Sequence, residues 1–224
     1  MKQLAFVALL LAGATPAGAR QDTPQDITKA ELPKKAVCVV CEANGGGHGE
    51  EKPAAGVRYK GKSYFFCSAK EVAEFKREPE AYMPPVLPRP APALDVRKLD
   101  GKPAGLADYK GKVAVVDFWA TWCKPCVKSM PEMMKLHEKY GAKGFTVIGV
   151  SIDEDGAKSV RPFLEKRKIT YPIVLDGSKA WKAWGVRAIP AVFLVDKEGN
   201  IVRQWTGNAD KKELERAIEE LISK

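Results

Sequence analysis

Cys123 and Cys126 are separated only by Lys124 and Pro125, within the stretch Trp119-Ala120-Thr121-Trp122-Cys123-Lys124-Pro125-Cys126. The pair follows a β-branched run, residues 113–118, and precedes a helical pattern. A strand ending near Trp119 and a helix starting at the first cysteine would set Cys123 among unpaired backbone N–H groups, at the positive end of the helix dipole, where a thiolate is stabilised. Cys123 is then the nucleophile. Cys126 sits one turn further along the same face, within reach of any mixed disulfide that Cys123 forms with a substrate. Lys124 adds positive charge beside the nucleophile, and Pro125 suits a first helical turn, where its missing N–H costs nothing. The alternatives are a structural disulfide, half of a zinc site, or two buried thiols. Zinc would need a second ligand pair, and beyond Cys126 the chain offers only His137.

Positioning such a pair takes a sheet and a covering helix. Hydrophobic patterning predicts strands over Val113–Trp119, 145–152, Ile173–Leu175, 191–196 and 201–206, with helices over Lys124–Tyr140, Ala157–Arg167 and 211–223. Asp196-Lys197-Glu198-Gly199-Asn200 supplies turn residues for a terminal hairpin, giving a parallel core with an antiparallel edge. Trp181 and Trp184 read as packing residues on a short helix that Gly185 ends. Alternation leaves Asp117 open: it is either a carboxyl buried among Val115, Val116 and Phe118, with a raised pKa, or an exposed residue at a strand end.

Composition bounds the rest. Lys2, the apolar run 4–12 and Ala17-Gly18-Ala19 predict a secretory signal over residues 1–19, and no later segment is long enough to span a bilayer. The expectation is therefore a protein of the periplasm or exterior that does not span the membrane once cleaved. Residues 20–33 are polar and predicted to be an unstructured lead. The 224 residues carry 37 Lys and Arg against 28 Asp and Glu, a net charge of +9, but the lysines are interleaved with glutamates, so the surface reads as solvated rather than nucleic-acid-binding. Prolines across 84–93 predict a stiff extended spacer, dividing a front unit, 34–83, from a second unit, 94–224. Five cysteines leave at least one thiol free, metal-bound or paired with another molecule.

The motif from Asp117 to Cys126, with Pro131 in the following helix, resembles the thioredoxin active site. The approach through Leu99-Asp100-Gly101-Lys102 and Tyr109-Lys110-Gly111-Lys112 resembles its TlpA-like extracytoplasmic branch. The resemblance spans about 94–224 and implies an α/β, thioredoxin-like sheet flanked by helices. It implies a thiol-disulfide oxidoreductase needing no cofactor for exchange, acting on protein thiols and disulfides and fed by an upstream membrane electron donor. The reductant direction is the one it favours, as in cytochrome c maturation or copper-site assembly. It makes Asp117 the buried proton carrier for Cys126 and Ile189-Pro190 the cis-proline step whose backbone holds a substrate strand, with Trp122 and Pro125 on the same docking surface. The chain departs from the branch at Ser129, where those proteins often carry a glutamate.

The front unit is predicted to be a small α+β module: a hairpin over 57–68, then a helix over Ala69–Arg77. With Cys38-Val39-Val40-Cys41, Phe66-Cys67-Ser68 and Pro79-Glu80-Ala81-Tyr82 it resembles the YHS and TRASH group of metal-associated modules. Three thiolates and one more donor suit zinc or copper(I). Glu71 and His48 are the candidates for the fourth ligand, although Ser68-Ala69-Lys70-Glu71 is also a capping box and His48 lies in a glycine-rich loop. Cys38 and Cys41 could instead form a disulfide. An alternative function follows: a metal carrier whose thioredoxin-like unit keeps its ligand thiols reduced.

Overall fold

The computed structural model describes residues 23–46, 49–83 and 85–224. The predicted signal, 1–19, and His48 lie outside them.

The front module is a three-stranded antiparallel sheet, β1 (Gln25–Ile27), β2 (Ala55–Tyr59) and β3 (Lys62–Phe66), packed by helices α1 (Val39–Ala43) and α2 (Ala69–Arg77). Its core is aromatic: Phe75 of α2 is fully buried between Tyr64, Phe66 and Tyr82, with ring centroids 5.0, 5.2 and 6.3 Å away. The predicted unstructured lead is corrected here. Within it β1 pairs with β2 and Asp26 bonds Lys76 at 2.7 Å, so backbone pairing, which composition does not report, orders this polar edge.

The second sheet has eight strands in the order β4-β11-β10-β7-β8-β9-β5-β6. Its members in chain order are β4 (Arg89–Pro90), β5 (Val96–Lys98), β6 (Pro103–Ala104), β7 (Val113–Trp119), β8 (Phe145–Ser151), β9 (Ile173–Leu175), β10 (Ala191–Val195) and β11 (Asn200–Thr206). The β7-β8-β9 pairs are parallel and the rest antiparallel. Antiparallel strands therefore flank the parallel core on both sides, not on the single edge expected from the sequence. β5 and β6 escaped the patterning because they are short and carry Arg97, Lys98 and Pro103 where alternation would be read. The proline-rich spacer is likewise not free: Arg89–Pro90 joins the sheet at β11, on an edge where a proline needs no N–H partner.

Every residue of β7 and β8 is buried, as strands covered on both faces must be, which explains their valine-rich runs. Helices α3 (Lys124–Tyr140) and α6 (Lys211–Ile222) cover one face through Met133, Leu136, Leu214 and Ile218. On the other face Trp184, at the end of α5 (Ala180–Ala183), packs at a tilt against Phe118 and edge-to-face against Phe193. Between β8 and β9 lies α4 (Ala157–Arg167), which sends Val160 and Phe163 onto Trp119. This is a thioredoxin-like α/β fold, with β7 leading straight into α3 at the centre of the sheet.

Candidate redox site

β7 ends at Trp119, a short turn follows, and Cys123 is the N-cap of α3. The two cysteines are joined as a disulfide, with Cα atoms 5.3 Å apart. The Cys126 backbone N–H points at Cys123 Sγ at 3.3 Å. It is a first-turn donor with no intrahelical carbonyl acceptor, aimed at the sulfur of the N-cap residue. Cys126 is fully buried, whereas Cys123 keeps 5% exposure. Beside it Trp122 is 66% exposed, an unusual setting for so large an apolar ring.

The turn that presents Cys123 is tied down from β8. The Thr121 N–H and hydroxyl donate to the Asp153 carboxylate at 3.0 and 2.6 Å, and the Ser151 hydroxyl donates to it at 2.8 Å. Across the site the Ile189–Pro190 peptide bond is cis, and the Ile189 carbonyl oxygen lies 3.8 Å from Cys123 Sγ. Pro190 is held by Gly207, whose N–H donates to its carbonyl at 2.7 Å. Cys123, Cys126, Trp122, Pro125, Ile189 and Pro190 are thus gathered around the start of α3. The Ser129 hydroxyl donates to the Cys126 carbonyl at 2.9 Å.

Asp117 is fully buried on β7, and neither carboxylate oxygen has a hydrogen-bond partner among the described residues. The strand-end, solvent-exposed alternative is therefore wrong. Loss of hydration disfavours its charged form and lifts its pKa to about 7.

In the front module Cys38, Cys41 and Cys67 are free thiols whose sulfurs all lie within 4.8 Å of one another, Cys41 and Cys67 at 3.5 Å. A Cys38–Cys41 disulfide is not formed. Sulfurs bound to one tetrahedral zinc at about 2.3 Å stand about 3.8 Å apart, so the three thiols fit one soft ion. Burial pushes the Cys67 thiol up to about 12 and raises Cys41 as well. Glu71 accepts the Ser68 hydroxyl, which holds its carboxyl below the usual range, and the Ser68 oxygen accepts from the Lys70 N–H at 3.2 Å. The same carboxylate also reaches the Cys67 thiol, so it stands between the start of α2 and the thiol cluster.

Three residues with visible roles were not singled out from the sequence. Asp153 anchors the turn; a polar residue two places after Ser151 at the end of a buried strand was the available signal. Tyr171 is buried beside Asp117, and burial followed by the nearby carboxylate raises its pKa. Arg187 stacks on Tyr82 at 4.1 Å and pairs with Glu78 at 3.8 Å, bridging the modules; nothing local in the sequence announces it.

A Redoxin family model matches residues 88–221. A thiol-disulfide oxidoreductase ResA of Bacillus thuringiensis subsp. konkukian is 37% identical over 132 residues, 58% of this chain and 76% of that protein. Thioredoxin-like protein YneN of Bacillus subtilis is 35% identical over 131 residues, 58% of this chain and 76% of its own. Among solved structures, a thiol:disulfide interchange protein DsbE from Chlorobium tepidum has a TM-score of 0.57 at 32% identity, covering 60% of this chain and 96% of its own. The Redoxin match begins at residue 88, after the front module.

Proposed function

The chain belongs to the Redoxin family and is a thiol-disulfide oxidoreductase, and from that premise we propose that it works outside the cytoplasm as a dithiol reductant of partner-protein disulfides. The observation that carries the exchange chemistry is the Cys126 N–H directed at Cys123 Sγ at the mouth of α3, and the reductant direction follows the resemblance to the TlpA-like branch. The reduced Cys123 thiolate attacks a substrate disulfide, forming a mixed disulfide and releasing the first substrate sulfur. Cys126 then attacks Cys123 Sγ, the Cys123–substrate bond breaks, and the second substrate sulfur leaves. Both electrons come from the dithiol, which ends as the disulfide. Asp117 takes the Cys126 proton as that sulfur becomes nucleophilic, a role its raised pKa suits near neutrality.

Ile189 and cis-Pro190 hold the substrate strand, with Trp122 and Pro125 on the same docking surface. The signal over 1–19 directs export, a membrane protein supplies electrons, and substrates of the cytochrome c or copper-site maturation type suit the reductant direction. Cys123→Ser should abolish insulin-disulfide reduction, and Cys126→Ala should accumulate a Cys123 mixed disulfide with the substrate. Full activity in Cys123→Ser would refute the assignment.

A second reading is favoured by one observation, the three thiols within 4.8 Å in a module resembling the YHS and TRASH group. Cys38, Cys41 and Cys67 would hold copper(I) or zinc, which supplies a soft electrophilic centre for thiolate donors, and the redox domain would keep these thiols reduced. Metal content of the reduced full chain, against a Cys41→Ser/Cys67→Ser variant, tests it; equal content in both would remove it.

A further inference from the structure

Four buried polar atoms without a hydrogen-bond partner among the described residues belong to three neighbours: both Asp117 carboxylate oxygens, Trp119 Nε1 and the Tyr171 hydroxyl. They meet for a local reason. Asp117 pairs in register with Gly149 of β8, and Trp119, two residues on, faces the same side of the sheet. Gly149 carries no side chain, which lets its neighbours close over it. A Cβ there would stand 3.0 Å from Tyr171 Cε2, 3.1 Å from Trp119 Nε1 and 2.5 Å from Ile173 Cδ1. Two donors and two acceptors are thus enclosed in one apolar neighbourhood, and each would be costly if left unsatisfied.

We propose that Tyr171 is a positioning residue for the proton step: its hydroxyl, with the Trp119 indole N–H, donates through a shared buried water to the Asp117 carboxylate and so sets the pH at which Cys126 can resolve the mixed disulfide. Buried waters ordinarily make about three hydrogen bonds to otherwise unpaired groups, and three neighbours with unpaired polar atoms converge here. Cys126 lies on α3, and His137 stands with its ring 6.5 Å from that of Tyr171, its Nδ1 accepting the Val147 N–H at 3.3 Å. Tyr171 stays protonated because its own ionisation is opposed by burial and by the Asp117 charge, so it serves only as a donor. The inference rests on Asp117 being the proton carrier.

The test is the pH profile of the resolution step alone, from the Cys123–glutathione mixed disulfide to the Cys123–Cys126 disulfide, followed in single-turnover oxidation of the reduced full chain by oxidised glutathione, quenched by alkylation and resolved by mass. It is run on wild type, Asp117→Asn, Tyr171→Phe and Trp119→Phe. Loss of a donor leaves ionised Asp117 less stabilised, so its base form is reached at higher pH. The acid limb that disappears in Asp117→Asn should therefore move up by about one pH unit in Tyr171→Phe, a slowing of about tenfold on that limb. A purely packing role would lower stability and leave the limb in place. Trp119→Phe should shift the limb in the same direction, and decides the matter should Tyr171→Phe fail to fold. Superimposable limbs in wild type and the donor variants, with the limb lost in Asp117→Asn, would overturn the inference and leave the Asp117 role standing. A limb that survives Asp117→Asn would overturn both.

Discussion

One helical turn gives Cys123 and Cys126 different environments. The first caps α3 at the edge of solvent, while the second is sealed beneath it among Trp119, Met130 and Val160. Asp117 completes the division by lying where its charge is expensive. Its folded pKa, about 7, exceeds the unfolded carboxylate value of about 4. Below the lower value both states are protonated and the residue is neutral to stability. Between the two values the unfolded state ionises first and stability falls, by about 4 kcal/mol once both are passed. Asp117→Asn should therefore stabilise the oxidised chain above neutrality more than below the lower value, by a few kcal/mol in urea unfolding. A stability difference independent of pH would contradict the burial argument.

The β7 turn and α3 present the cysteines, and Asp153 holds that turn from the end of β8 through Thr121 and Ser151. Asp153→Ala leaves the Thr121 N–H and two hydroxyls without their acceptor. It should destabilise the chain by about 1–3 kcal/mol and slow disulfide reduction, measured together as denaturant midpoint and single-turnover rate. Unchanged values in both would show that the turn holds itself. At this scale the sequence was highly legible. The predicted Lys124–Tyr140, Ala157–Arg167 and Ala69–Arg77 helices have the observed bounds, because each begins at a cap or break and carries a continuous apolar face. β1, β4, β5 and β6 were hidden because two or three residues at or next to a sheet edge, held by backbone pairing, leave no periodic trace. Tyr171 and Asp153 were missed for a related reason: they act across strands, at distances that spacing along the chain does not encode.

Across the whole molecule, two cores are joined on the side that carries the cis-proline. The loop after α1 brings Gly45 against Ala188, and Arg187 reaches Tyr82 and Glu78 of the front module. A stacked guanidinium of this kind contributes about 0.5–2 kcal/mol. Arg187→Ala should loosen the contact and speed backbone amide exchange at 78–82 and 185–190, while the strands β7 and β8 stay protected. Exchange unchanged in both segments would mean that the modules are held together elsewhere.

The central claim is that the start of α3 holds the Cys123 sulfur as an anion. The most direct measurement is the alkylation rate of each cysteine in the reduced full chain across pH, resolved by mass. Cys123 should react first and be half-ionised well below the free-cysteine value of about 8.5. Half-ionisation at or above that value, with no preference for Cys123 over Cys126, would contradict the account.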